Sequence, residues 1–104
     1  MFELKQSGDE FHFNLKAQNG KVVLSSEMYT QKRGAKKGIA SVKANAKEEQ
    51  FDRRTSENGK PYFVLLAKNK KVIGTSEMYN YNDSRENGIR SVILNAPNAE
   101  VKEI

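Results

Sequence analysis

Ser26-Glu27-Met28-Tyr29, followed by Gly38-Ile39-Ala40-Ser41-Val42-Lys43-Ala44-Asn45-Ala46, returns fifty positions later as Ser76-Glu77-Met78-Tyr79 and Gly88-Ile89-Arg90-Ser91-Val92-Ile93-Leu94-Asn95-Ala96. Sliding the chain by that distance aligns residues 13–46 with 63–96 without a gap, and 16 of those 34 positions are identical. A repeat of this period marks one supersecondary unit copied in tandem. Each copy alone is too small to bury much of its surface, so the two are expected to share one core. The chain of 104 residues therefore reads as a single domain: repeat one at 1–46, a polar linker at 47–50, repeat two at 51–97 and a tail at 98–104. Phe2 lies 49 positions before Phe51, which places one extra residue in the first loop of the second copy.

Within a copy the apolar period changes. Phe11, Phe13, Leu15 and Ala17 alternate with His12, Asn14, Lys16 and Gln18, the pattern of a strand with one buried face. Asn19-Gly20 predicts a two-residue type I′ hairpin, with positive φ at both residues. That turn would set Ala17 opposite Val22, Leu15 opposite Leu24, Phe13 opposite Ser26 and Phe11 opposite Met28 on the core side. Lys16 with Val23, Asn14 with Ser25 and His12 with Glu27 would fall on the other. Phe2 and Leu4 alternate in an earlier strand that turns at Ser7-Gly8-Asp9. A helix is expected from about residue 31, with Thr30 and Asn80 as N-caps. Ala35, Ile39, Val42 and Ala46, matched by Ile89, Val92 and Ala96, form its apolar face, and Pro97 ends the second helix. Asn45 and Asn95 suit a left-handed C-terminus. Gly38 and Gly88 fall mid-helix, where glycine costs about 1 kcal/mol relative to alanine. Its presence in both copies predicts close approach to the sheet or to the other helix.

The fold class follows: α+β, a tandem duplication of a βββα unit, with six antiparallel strands, two helices packed on the sheet, and pseudo-twofold symmetry. The doubled Ser-Glu-Met-Tyr and Gly-Ile-x-Ser-Val-x-x-Asn-Ala pattern resembles the YegP-like family of small, mostly bacterial proteins. The resemblance covers essentially the whole chain. It implies a tandem βββα pseudo-dimer and no activity, because the family is a domain of unknown function.

Composition narrows the chemistry. With no Cys and one His, disulfide frameworks and the usual thiolate or multi-histidine metal sites are excluded, and a reducing cytoplasm is expected. No apolar stretch is long enough for a membrane span, and no cofactor motif is present. The net charge of +5 is shared, with nine basic and six acidic groups in residues 1–50 and nine and seven in residues 51–104. A non-enzymatic binding module is the expectation, monomeric because the copies supply each other's interface, with protein and nucleic acid both open as partners.

Three constellations stand out. Glu27, Tyr29, Glu77 and Tyr79 could line a symmetric binding groove, although the tyrosines at a strand-to-helix junction serve most simply as anchors. On the first helix Lys32, Lys36, Lys43 and Lys47 fall within about 60° of one another, at 100° per residue. Arg33 and Lys37 lie beside them. This polyanion stripe is private to repeat one, since its counterparts are Asn82, Glu86, Ile93, Pro97, Asp83 and Asn87. A βββα unit with a Lys-rich helix start is similar to the C-terminal part of double-stranded RNA-binding domains, where such lysines meet phosphates. Tyr62, Val64 and Leu66, with Ile73 opposite, make the third: a strand apolar on both faces, either buried between layers or an apolar patch for a partner. His12 across from Glu27, with Tyr62 in the matching place across from Glu77, forms a polar cross-strand pair rather than a catalytic one. Ser26 and Ser76 read as inward packing residues, and Met28 and Met78 as core.

Overall fold

The computed structural model describes every residue from Met1 to Ile104. The elements run β1 (Phe2–Ser7), β2 (Glu10–Lys16), β3 (Val22–Ser25), α1 (Lys32–Asn45), a 3₁₀ turn (Glu48–Gln50), β4 (Phe51–Thr55), β5 (Pro61–Leu66), β6 (Val72–Thr75), α2 (Asn82–Asn95) and β7 (Val101–Glu103). They build one sheet in the order β4-β5-β6-β3-β2-β1-β7. The halves join where β3 meets β6, antiparallel, with Ser25 opposite Thr75. Those residues are fifty apart and so equivalent, which puts the pseudo-twofold axis through that pair. A seventh strand extends the sheet beyond the six expected: β7, from the tail, adds to β1 in parallel and breaks the symmetry.

One cluster of buried side chains unites Phe2, Phe13, Leu15 and Leu24 of the first copy with Phe51, Phe63 and Leu65 of the second, under Ile39, Val42, Ile89 and Val92 of the helices. Both helices therefore cover the same face of the sheet. Val64 alternates with Phe63 and Leu65 and lies on the opposite, open face, yet is only 2% exposed.

The hairpin corrects the expected turn. Ala17 N–H donates to Lys21 O at 2.9 Å and Gly20 N–H to Ala17 O at 3.0 Å, and only Gly20 has positive φ, 82°. This is a three-residue loop with its left-handed residue last. The additional loop residue sets Lys16 opposite Val22, and a bulge restores Leu15 opposite Leu24. The bulged Val23 joins the core rather than facing outward with Lys16. A second irregularity follows. Ser26 pairs with Phe13 and Tyr29 with Phe11, so Glu27 and Met28 together stand opposite His12 and both project outward. Met28 and Met78 are accordingly 44% and 46% exposed, not core.

The helix ends also differ from expectation. Gln31 and Tyr81, not Thr30 and Asn80, hold the N-cap positions in extended conformation, and neither side chain caps the helix. Asn45 and Asn95 are not left-handed; each amide donates to the carbonyl four residues back, Ser41 O or Ser91 O, at 2.8 Å. The same amide also reaches the serine hydroxyl, Ser41 Oγ or Ser91 Oγ, at 3.2 Å, and it is this side-chain contact that links Ser and Asn in the repeated motif.

Lys70 occupies in repeat two the place of Gly20, with φ of 69°. An L-residue there is strained by about 1 kcal/mol. Lys70→Gly is therefore expected to raise stability by up to that amount, or roughly 4–8 °C in Tm. An unchanged or lower melting temperature would count against the strain.

Candidate functional site

The site begins at a ring seated on a glycine. Tyr29 leaves β3 and stacks on Phe13, with centroids 6.2 Å apart and planes 15° apart. Its ring lies across α1 at Gly34 and Gly38. A Cβ on Gly38 would stand 3.0 Å from both Phe13 Cε2 and Tyr29 Cζ, and closer still to Tyr29 Oη. Tyr79 repeats the arrangement on Phe63 (6.3 Å, 12°) and Gly88, whose Cβ would stand 2.8 Å from Tyr79 Cζ. The close approach expected of these glycines is thus to a tyrosine side chain from the preceding junction, not to another helix. The Tyr and Gly ends of the repeated motif are two halves of one contact.

Seating the ring carries Glu27 and Glu77 to the mouths of two clefts, each completed by the hairpin of the other repeat. The first, about 540 Å³, has Glu27 and Ser41 on one wall and Ala67, Asn69, Lys71, Val72 and Ile73 on the other. The second, about 400 Å³, has Glu77 and Ser91 facing Ala17, Asn19, Lys21, Val22 and Val23, and adds Tyr79, Ser84, Asn87 and Gly88. The expected single groove is therefore divided: Glu77 and Tyr79 border one cleft and Glu27 the other, while both tyrosine rings stay seated on their helices. In the second cleft Glu77 and Lys21 both line the space without an ion pair between them. Burial, then the nearby Glu77 carboxylate, pushes the Tyr79 phenol up; burial and Glu27 do the same for Tyr29.

The basic stripe is partly occupied from within. Lys32 Nζ lies 2.7 Å from Glu103 Oε1 and Lys36 Nζ 3.3 Å from Glu103 Oε2. Those lysines hold the Glu103 carboxyl below the usual range. Lys43 stands over the Phe2 ring at 5.9 Å, and Arg33 bonds the Gln31 side chain at 2.8 Å. Lys37 makes no ion pair, and Lys47, also unpaired, lies off the stripe because α1 ends at Asn45 and Lys47 is extended before the 3₁₀ turn. On the open face Tyr62, Val64 and Leu66 line β5, but Ile73, displaced by the bulge in β6, packs against the helix-side cluster, and Val72 pairs with Leu66 instead. His12 Nδ1 is buried without a hydrogen bond, so no acid–base pair forms with Glu27.

The family model described as "Domain of unknown function (DUF1508)" matches this chain twice, at residues 6–52 and 56–103. The chain belongs to this family. It is similar to the UPF0339 protein YegP of Escherichia coli strain K12, 53% identical over 64 residues, which are 60% of this chain and 58% of that protein. The UPF0339 protein plu2779 of Photorhabdus laumondii is 51% identical over 65 residues, 61% of this chain and 57% of its own length. The matched segment thus spans just under three fifths of these curated relatives. Two solution NMR structures share the fold across 98% of this chain, each with a TM-score of 0.92. They are the UPF0339 protein SO3888 of Shewanella oneidensis, 45% identical over 88% of its chain, and yegP of E. coli, a protein of unknown function, 50% identical over 90% of its chain. The family carries no known catalytic activity. No helix is long and apolar enough to cross a membrane.

The doubled DUF1508 unit sorts the candidate residues into two kinds. The ring seats, and seven positions around each cleft, are equivalent in the two copies, whereas Ser84 and Asn87 border the second cleft alone. The lysine stripe and the apolar face of β5 each belong to one copy.

Proposed function

We propose that this protein is a small non-enzymatic binding module that takes small dipolar ligands in its two clefts. The observation that carries the reading is correspondence: all seven residues around the first cleft have their fifty-residue counterparts around the second. Neither repeat contains a whole cleft, so the module works as one domain of two repeats, 1–46 and 51–97, and a single chain in the cytoplasm is sufficient. A carboxylate and an ammonium that line one cleft without pairing complement a ligand bearing both charges. Ser84 and the Tyr79 hydroxyl add donors. The nucleic-acid reading is less well supported, because Lys32, Lys36 and Lys43 already have partners.

The test is an NMR titration of the isotope-labelled protein with a panel of free amino acids and dipeptides. Saturable shifts are expected at Glu27 together with 67–73, and at Glu77 together with 17–23. The double variant Glu27→Gln, Glu77→Gln should weaken binding about tenfold with little change in melting temperature, since exposed charges contribute little to folding. Shifts confined to α1, or binding untouched in the double variant, would overturn the reading.

A further inference from the structure

We infer that the outer edge of β1, together with α1, is a docking groove for an extended acidic and apolar strand of a partner protein, filled here in cis by β7. The seated strand displays what the groove accepts. Phe2 N–H donates to Glu100 O at 2.7 Å and Ile104 N–H to Leu4 O at 2.9 Å, continuing the sheet in parallel. Backbone pairing of this kind takes any extended chain, and the alternate side chains give selectivity. Val101 and Glu103 face α1: Glu103 is held by Lys32 and Lys36, and Val101 borders Ile39, Ala40 and Lys43.

The occupant fits loosely. All three β7 residues are exposed, and a cleft of about 370 Å³ remains between β7 and α1. A strand with a larger apolar side chain at the Val101 position would fill that space. The pattern the groove selects is a large apolar residue, any residue, then an acid.

The opposite edge of the sheet is built differently. Glu86 of α2 is the counterpart of Lys36, and instead of awaiting a carboxylate it is bound by Arg53 Nη2 at 2.7 Å, which also holds Glu48. Arg53 stands on β4 where β1 has the buried Leu4. The position that receives the carboxylate of β7 in repeat one is thus closed in repeat two, and the chain offers one docking edge.

The probe is a fluorescent, acetylated peptide of residues 100–104 carrying Val101→Phe, and the host is the full chain with Glu103→Lys, which sets like charge against Lys32 and Lys36. This variant is expected to bind the peptide about tenfold more tightly than the parent, and Glu103→Gln within the peptide should remove about tenfold, the scale of one charge-assisted contact. A folded variant that binds no better than the parent, or that ignores the Glu103→Gln change, overturns the proposal. Binding of a single-stranded oligoribonucleotide without peptide binding overturns it too, assigning the lysines to phosphate. Should Glu103→Lys not fold, the parent at peptide concentrations of order millimolar, comparable to the effective concentration of a short tether, decides. Amide signals of Val101–Glu103 should then move toward unpaired values, and unmoved signals reject the groove.

Discussion

Leu24→Ala is expected to cost about 3–5 kcal/mol, the upper range for a leucine with no residual exposure, measured by urea unfolding. Its position explains the size. Leu24 and its counterpart Gly74 flank the pseudo-twofold axis, one residue before the Ser25 and Thr75 pair. A Cβ on Gly74 would stand 2.6 Å from both Leu24 Cγ and Cδ2. The leucine of one copy fills the space that the side chain of the other would need. Gly74→Leu alone should therefore overpack the axis at a cost of about 1–3 kcal/mol. The exchange Leu24→Gly with Gly74→Leu puts the same volume back from the other side. Its cost should fall below the sum of the single changes by about 2 kcal/mol, a coupling of the size seen between touching residues. Strict additivity across the four proteins would remove the shared-space account.

This divergence is open to a duplicated chain. Two identical chains around a true axis must carry the same residue at both equivalent positions, so a leucine there meets its own copy. In tandem, one copy can keep the leucine and the other lose it. The same freedom accounts for Arg53 in place of Leu4 and for the stripe on α1 alone.

What the sequence made legible was what local pattern encodes. The duplication, the alternating strands, the helical face of Ile39 and Val42, and the need for space at Gly38 and Gly88 all rest on spacing along the chain. What it hid depends on one-residue register changes. Asn19-Gly20 serves a two-residue or a three-residue loop equally well, and the choice decides whether Val23 and Ile73 point inward. Likewise the extra residue opposite His12 exposes Met28, although its spacing from Phe11 reads as core. The clefts were hidden for another reason: Glu77 finds Lys21 only because β3 pairs with β6, a contact between copies that no periodicity reports. β7 is three residues long and wholly exposed, so it leaves no apolar signal of its own.

The seat of Tyr79 on Gly88 gives the remaining large effect and ties the fold to the cleft. On helix propensity alone Gly88→Val should be mildly stabilising, because glycine is among the poorest helix formers. The structure reverses the sign: the first added carbon already meets Tyr79, and the ring cannot retreat without leaving its stack on Phe63. A loss of about 3 kcal/mol is expected, at the top of the usual range for overpacking. In a Tyr79→Ala background, where the ring is absent, Gly88→Ala should become neutral or stabilise by up to about 1 kcal/mol, while in the parent it destabilises. That change of sign is the decisive reading, since general intolerance of the helix to a side chain would leave the cost equal in both backgrounds. Because the same ring lines the cleft beside Glu77, Gly88→Val should also shift the amide signals of Glu77 and of the facing segment 17–23. A destabilised variant with those signals unmoved would separate the seat from the cleft and leave Tyr79 as an anchor only.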